Sequence, residues 1–116
     1  MTDEAVEGLL PLTHLTYHIM LTVRLGPMHG YAISKAVAEL SRGRVAPGTG
    51  TFYSALRRMM DEGVLEEVDQ PEGVDGRDSR RRFYALTELG RAVLDAERER
   101  LRALLTLDGP DVATAG

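Results

Sequence analysis

The chain has 116 residues, 43% of them hydrophobic and 28% charged, which suits one globular domain with a modest core. Cysteine is absent, so a disulfide framework and thiolate metal ligation are excluded, and a reducing compartment fits. The opening MTDEAVEGLLPL is acidic where a secretion signal is basic, and no apolar run approaches the roughly 20 residues of a membrane span. The expectation is a soluble, cytoplasmic protein with no membrane partner.

In chain order, residues 1 to 11 and 108 to 116 are small, polar or acidic and read as flexible tails. Residues 12 to 25, LTHLTYHIMLTVRL, place Leu12, Leu15, Ile19 and Val23 on one helical face and Tyr17, Leu21 and Leu25 on another. Gly26 and Pro27 stop that helix. GYAISKAVAELS follows, with Ile33, Ala36, Val37 and Leu40 at one-sided helical spacing. A third helix is predicted from about Thr51 to Glu62, with Thr49 or Thr51 as N-cap and Gly63 as terminator. Its inner face is Phe52, Ala55, Leu56, Met59 and Met60; its outer face carries Tyr53, Ser54, Arg57 and Asp61.

VLEEVD (64 to 69) and RRRFYAL (80 to 86) are β-prone runs separated by QPEGVDGRDS, a hairpin connection rich in turn residues. Thr87 can cap a last helix to about Leu107, whose apolar positions 89, 93, 94, 96, 101, 104, 105 and 107 fill about half the circumference. So wide an arc exceeds what a small domain covers, and the surplus predicts a second copy of the chain as partner.

This order of elements is that of a winged helix-turn-helix, mainly α with a small β-hairpin, followed by a C-terminal dimerisation helix. Residues 12 to 86 form the expected DNA-binding domain and 87 to 107 the dimerisation helix. In this architecture the third helix enters a DNA major groove and the hairpin, the wing, touches neighbouring backbone or minor groove. The charge distribution agrees. The net charge is −4, yet residues 77 to 91 carry five arginines against Asp78 and Glu88. A phosphate backbone senses charge only within about a Debye length, ~8 Å at physiological salt. Arg77, Arg80, Arg81 and Arg82 therefore become candidate contacts to phosphate or a narrow minor groove.

The runs GPMHGYAI (26 to 33), GTFYSALRRM (50 to 59), DEGVLE (61 to 66) and RRRFYALTELGRAVL (80 to 94) resemble those of short PadR-family transcriptional regulators. The resemblance covers residues 12 to 107. It implies a cytoplasmic homodimer joined through the last helix with help from the first, usually a repressor released by a small-molecule effector or another signal, acting on double-stranded DNA. The run APGTGTFY departs from the family pattern by an additional Gly-Thr.

On the third helix, Tyr53 and Arg57 lie four apart and can face one groove wall, with Ser54 and Arg58 beside them. Thr51 either contacts phosphate or caps the helix, and Tyr31 either touches backbone or packs. The dimer interface is expected at Leu15, Ile19, Val93, Leu94, Leu101, Leu104 and Leu105. PGTGT is read as a turn because no Lys-Ser/Thr pair follows it. No nucleophile with its base and no paired acids suggest an enzyme, and no cofactor is expected. Two alternatives stand beside the DNA-binding reading. One is a winged-helix protein-interaction module that never binds DNA; the other is a metal sensor using His14 and His18, which sit at i and i+4.

Overall fold

The computed structural model describes residues 3 to 70 and 82 to 107. The predicted helices and hairpin are present. Helix α2 runs His14–Val23, α3 Gly30–Leu40, α4 Thr49–Asp61 and α5 Glu88–Leu105, while strands β2, Leu65–Val68, and β3, Phe83–Leu86, pair antiparallel. Two elements go beyond the sequence reading. Asp3–Glu7 form a short helix, α1, where a frayed tail is predicted. Val6, Leu9 and Leu10 pack against the core, which supplies the apolar contact that a free tail lacks. Met28–His29 form β1, which pairs with the outer side of β3, so the sheet order is β1-β3-β2.

The core lies between the helices and this sheet. Helix α2 contributes Thr16, Ile19, Met20 and Val23, the i, i+3, i+4, i+7 face of a helix; α3 adds Ile33 and Val37; α4 adds Phe52, Ala55, Leu56 and Met59. Leu40, placed on the inner face by its spacing, is 52% exposed at the end of α3. Capping defines the helix starts. Thr13 Oγ1 accepts from the Thr16 N–H at 3.1 Å, and Thr87 Oγ1 accepts from the Gly90 N–H at 3.0 Å. Thr87 also donates to the Gly63 carbonyl at 2.5 Å, tying the start of α5 to the turn after α4. Gly63 itself has φ +80°, a left-handed conformation suited to glycine beyond a helix end.

The contact between α5 and the residue preceding β2 leaves no room for a side chain at Gly90. A Cβ at Gly90 would lie 2.1 Å from the Val64 carbonyl oxygen, so this helix position approaches backbone directly.

The apolar arc of α5 is divided along its length. Gly90, Val93 and Leu94 are buried in the domain, whereas Leu104 and Leu105 are 50% and 82% exposed. Ile19, Val93 and Leu94, expected at the dimer interface, are each at most 3% exposed within a single chain, where they pack in the domain's own core. Leu15 and Leu101 are half-buried, and Leu107 joins the exposed set at 56%.

Candidate nucleic-acid interface

Helix α4 begins at Thr49, with Gly48 as N-cap in extended conformation and no side-chain cap. This replaces Thr49 or Thr51 as the expected cap; both threonines are inside the first turn. Its leading N–H groups are therefore not occupied by a capping side chain, and at Gly48 and Gly50 nothing lies within 4 Å of a built Cβ. A backbone this open permits close approach of a bulky anion.

The amphipathic spacing of α4 puts Thr51, Tyr53, Ser54, Arg57 and Arg58 on its exposed side. They do not all have free functional groups. The Arg58 guanidinium donates to Thr16 Oγ1 at 3.0 Å, and Thr16 in turn accepts from the Thr13 hydroxyl at 2.9 Å, so Arg58 braces α4 against the start of α2. Tyr53 is 42% exposed, but its ring and hydroxyl lie over Gly30, where a Cβ would come within 2.7 Å of the phenol oxygen. The tyrosine therefore fixes the start of α3 against α4 while presenting only part of its surface outward. Arg57 is exposed and makes no ion pair among the described residues.

Tyr31, the second residue of α3, is 63% exposed, with the Lys35 ammonium 5.6 Å from its ring centroid. Lys35, absent from the sequence-derived candidates, is four residues after Tyr31, a spacing legible in the sequence. The imidazole of His29 caps α3, its Nδ1 accepting from the Ala32 N–H at 3.1 Å.

On the hairpin, the Arg82 guanidinium is 3.6 Å from the Glu67 carboxylate. Burial, aided by Glu67, raises the Tyr84 hydroxyl above its ordinary range, while Arg82 opposes that shift. Arg82 thus faces the neighbouring strand's Glu67 while its side chain stays largely exposed. Arg77, Arg80 and Arg81 lie outside the described residues.

Glu97 is a site residue of another kind, one that helical periodicity signals because the acid falls in the middle of the α5 apolar arc. It is 1% exposed. Its Oε2 accepts from the Leu12 N–H at 2.7 Å, and Arg100 donates to both carboxylate oxygens. The Arg100 hydrogen bonds hold the Glu97 carboxyl below its usual value against the opposing effect of burial, and the Leu12 N–H assists. The contact fastens the segment after α1 to α5.

His14 and His18 do not converge on a metal site. The His18 ring nitrogen Nδ1 is 2.6 Å from the His14 carbonyl oxygen, and no group of three His, Asp or Glu side chains among the described residues could hold a metal ion.

A helix-turn-helix whose second helix has a polar, partly cationic outer face, flanked by a three-stranded sheet, defines a winged-helix protein. The family model described as "Transcriptional regulator PadR-like family" matches residues 19–96, and the chain belongs to that family. It is 36% identical over 87 residues to the transcriptional regulator Rv3488 of Mycobacterium tuberculosis, covering 75% of each chain. It is also 33% identical over 72 residues, 62% of this chain, to an uncharacterised 37.1 kDa protein in transposon TN4556 of Streptomyces fradiae, but that match spans only 18% of the longer protein. The fold is similar to that of Bacillus subtilis PadR in complex with operator DNA, with TM-score 0.61 and 24% identity over 74% of this chain and 46% of the other.

Proposed function

We propose that this protein is a sequence-specific DNA-binding repressor that acts in the cytoplasm as a homodimer on a pseudo-palindromic operator. The observation that carries the reading is the outer face of α4: an uncapped N-terminus, two open glycines and the exposed Arg57 side chain on one helix. Such a helix presents N–H donors and a guanidinium to a major groove, where phosphate contacts set register and arginine can pair with guanine. In this reading the exposed Thr51 and Ser54 donate to phosphate, and Tyr31 with Lys35 extends the same role to the start of α3. Arg77, Arg80 and Arg81, which the sequence places between β2 and β3, supply backbone or minor-groove contacts in this reading.

A dimer fits the surface of α5. From Arg98 onward no residue of the helix is buried, and Leu104, Leu105 and Leu107 are all at least half exposed. Apolar groups clustered at a helix end gain most by pairing with the same surface of a second chain. Two α4 helices related by a two-fold axis then meet successive major grooves about 34 Å apart. The fold similarity to a PadR bound to operator DNA supports this reading. No catalytic step enters it.

Selection of bound duplexes from a random pool tests the function directly. Enrichment of an inverted repeat with half-sites one helical turn apart is expected; a pool with no enriched sequence would refute DNA recognition.

A further inference from the structure

His29 stands directly before the glycine that opens α3, and three elements meet at that point. It is the second residue of β1, paired with Phe83 of β3, and its half-buried ring meets the Phe83 ring edge to face with centroids 5.7 Å apart. Gly30 follows, covered by the Tyr53 side chain of α4. Tyr31 comes next, exposed, with Lys35 over its ring.

His29 is also the N-cap of α3. Its backbone is extended, φ −79° and ψ 158°, and its Nδ1 accepts from the Ala32 N–H at 3.1 Å. An amide can donate only to a ring nitrogen that carries no proton, so this cap requires the neutral imidazole with its hydrogen on Nε2. Asparagine or serine caps a helix with an oxygen that does not titrate; histidine does so only above its own titration, ordinarily centred at about pH 6.5. Protonation turns Nδ1 into a donor facing a donor and sets a cation at the positive end of the helix dipole. The first turn of α3 holds no acid to offset that charge. Across β1, Arg82 and Tyr84 flank Phe83, and Glu67 of β2, opposite Tyr84, has its carboxylate 3.6 Å from Arg82. On the helices, the titratable groups beside the cap are Tyr31 and Lys35 of α3 and Tyr53 of α4.

We propose that His29 is a positioning residue for DNA recognition: its neutral imidazole holds the first turn of α3 in place for the duplex, and its protonation weakens that hold. The inference rests on the DNA-binding function proposed above, in which Tyr31 and Lys35 touch the backbone and α4 enters the groove. Tyr53 packs on Gly30, so the same turn also supports α4. At neutral pH the duplex meets a helix start already ordered, whereas in acid it must bear the cost of ordering it. Loss of an N-cap changes the stability of a helix start roughly two- to tenfold, and the same factor passes to duplex affinity. The contribution is present above the histidine range and lost as pH falls through it.

Affinity of the full chain for a duplex enriched from the random pool, measured at about pH 7.5 and 5.5 at one ionic strength, tests this. His29→Asn keeps a capping oxygen, so it should bind within about twofold of wild type at the higher pH and lose roughly two- to tenfold less on acidification. His29→Ala should show at the higher pH the weakening that wild type shows only in acid. Nitrogen-15 shifts of the three histidines should identify His29 as the Nε2–H tautomer near neutrality. Parallel pH profiles for wild type and His29→Asn, or a proton on Nδ1 near neutrality, would overturn the proposal. Should His29→Ala fail to fold, the His29→Asn profile decides alone. A pool with no enriched duplex would refute the DNA-binding function and the role of His29 in it, while the tautomer would still show whether the cap is the neutral ring.

Discussion

Placing one methyl group on Gly90 tests the close approach of α5 to the backbone just before β2. The new Cβ would sit 2.1 Å from the Val64 carbonyl oxygen and 3.0 Å from its carbon, where ordinary contact begins at about 3.4 Å. The obstacle is backbone, so no rotamer change relieves it, and α5 must move outward by more than 1 Å. That movement pulls on the Thr87 N–H to Val64 carbonyl bond, 3.1 Å long, and on the Thr87 hydroxyl bond to Gly63. Overpacking of this kind costs about 3 kcal/mol or more, and the helix-propensity gain of Gly→Ala returns about 1 kcal/mol. The net loss is about 2 to 3 kcal/mol, a fall in Tm of roughly 8 to 15 °C for a domain of this size. Gly50→Ala is the matched control, since its Cβ meets nothing within 4 Å inside α4; it should raise stability by up to about 1 kcal/mol. Thermal unfolding followed by circular dichroism, at one fixed protein concentration because the protein is proposed to dimerise, gives both numbers. A Gly90→Ala protein that melts within about 2 °C of wild type would refute the reasoning.

Other substitutions test the interface, the dimer and the buried carboxylate. Arg57→Ala should cost about 1 to 3 kcal/mol of operator affinity with an unchanged circular dichroism spectrum; equal binding would exclude Arg57 from the contact. The Arg80→Ala, Arg81→Ala double variant should weaken specific and non-specific duplexes alike and lower the slope of log K against log salt by about one unit per lost contact, so superimposed salt titrations would mean the pair touches no phosphate. Leu105→Glu, at a site 82% exposed, should give a folded monomer in sedimentation experiments, and a persisting dimer would move the interface elsewhere. Glu97 has a folded-state pKa lowered chiefly by Arg100, so the stability it contributes is present above the ordinary carboxylate pKa and lost as pH falls through the lowered one. Glu97→Gln should therefore destabilise the protein by about 1 to 3 kcal/mol near neutrality, with the gap to wild type closing in acid; denaturant titrations showing a constant gap at all pH values would contradict the ion pair.

Local signals made much of this protein readable from its sequence. The apolar spacing of α4 separates Phe52, Ala55, Leu56 and Met59 from the exposed Tyr53 and Arg57 because a helix repeats every 3.6 residues whatever it packs against. Thr87 caps α5, and Gly63 ends the turn before β2, through bonds to near neighbours or through backbone preference. Tertiary structure decided what depends on distant partners. Two residues are too few for β1 to have a periodicity of its own; it exists because β3 offers unpaired backbone groups. Arg58 turns to Thr16, 42 residues away, and Glu97 reaches the Leu12 N–H across 85 residues. Tyr53 lies over Gly30 because α3 and α4 meet there. The apolar arc of α5 was visible as a surplus, but helical periodicity describes only the circumference. Which length of the helix the domain covers depends on where the other elements end, and that left Val93 and Leu94 inside and Leu104 and Leu105 exposed.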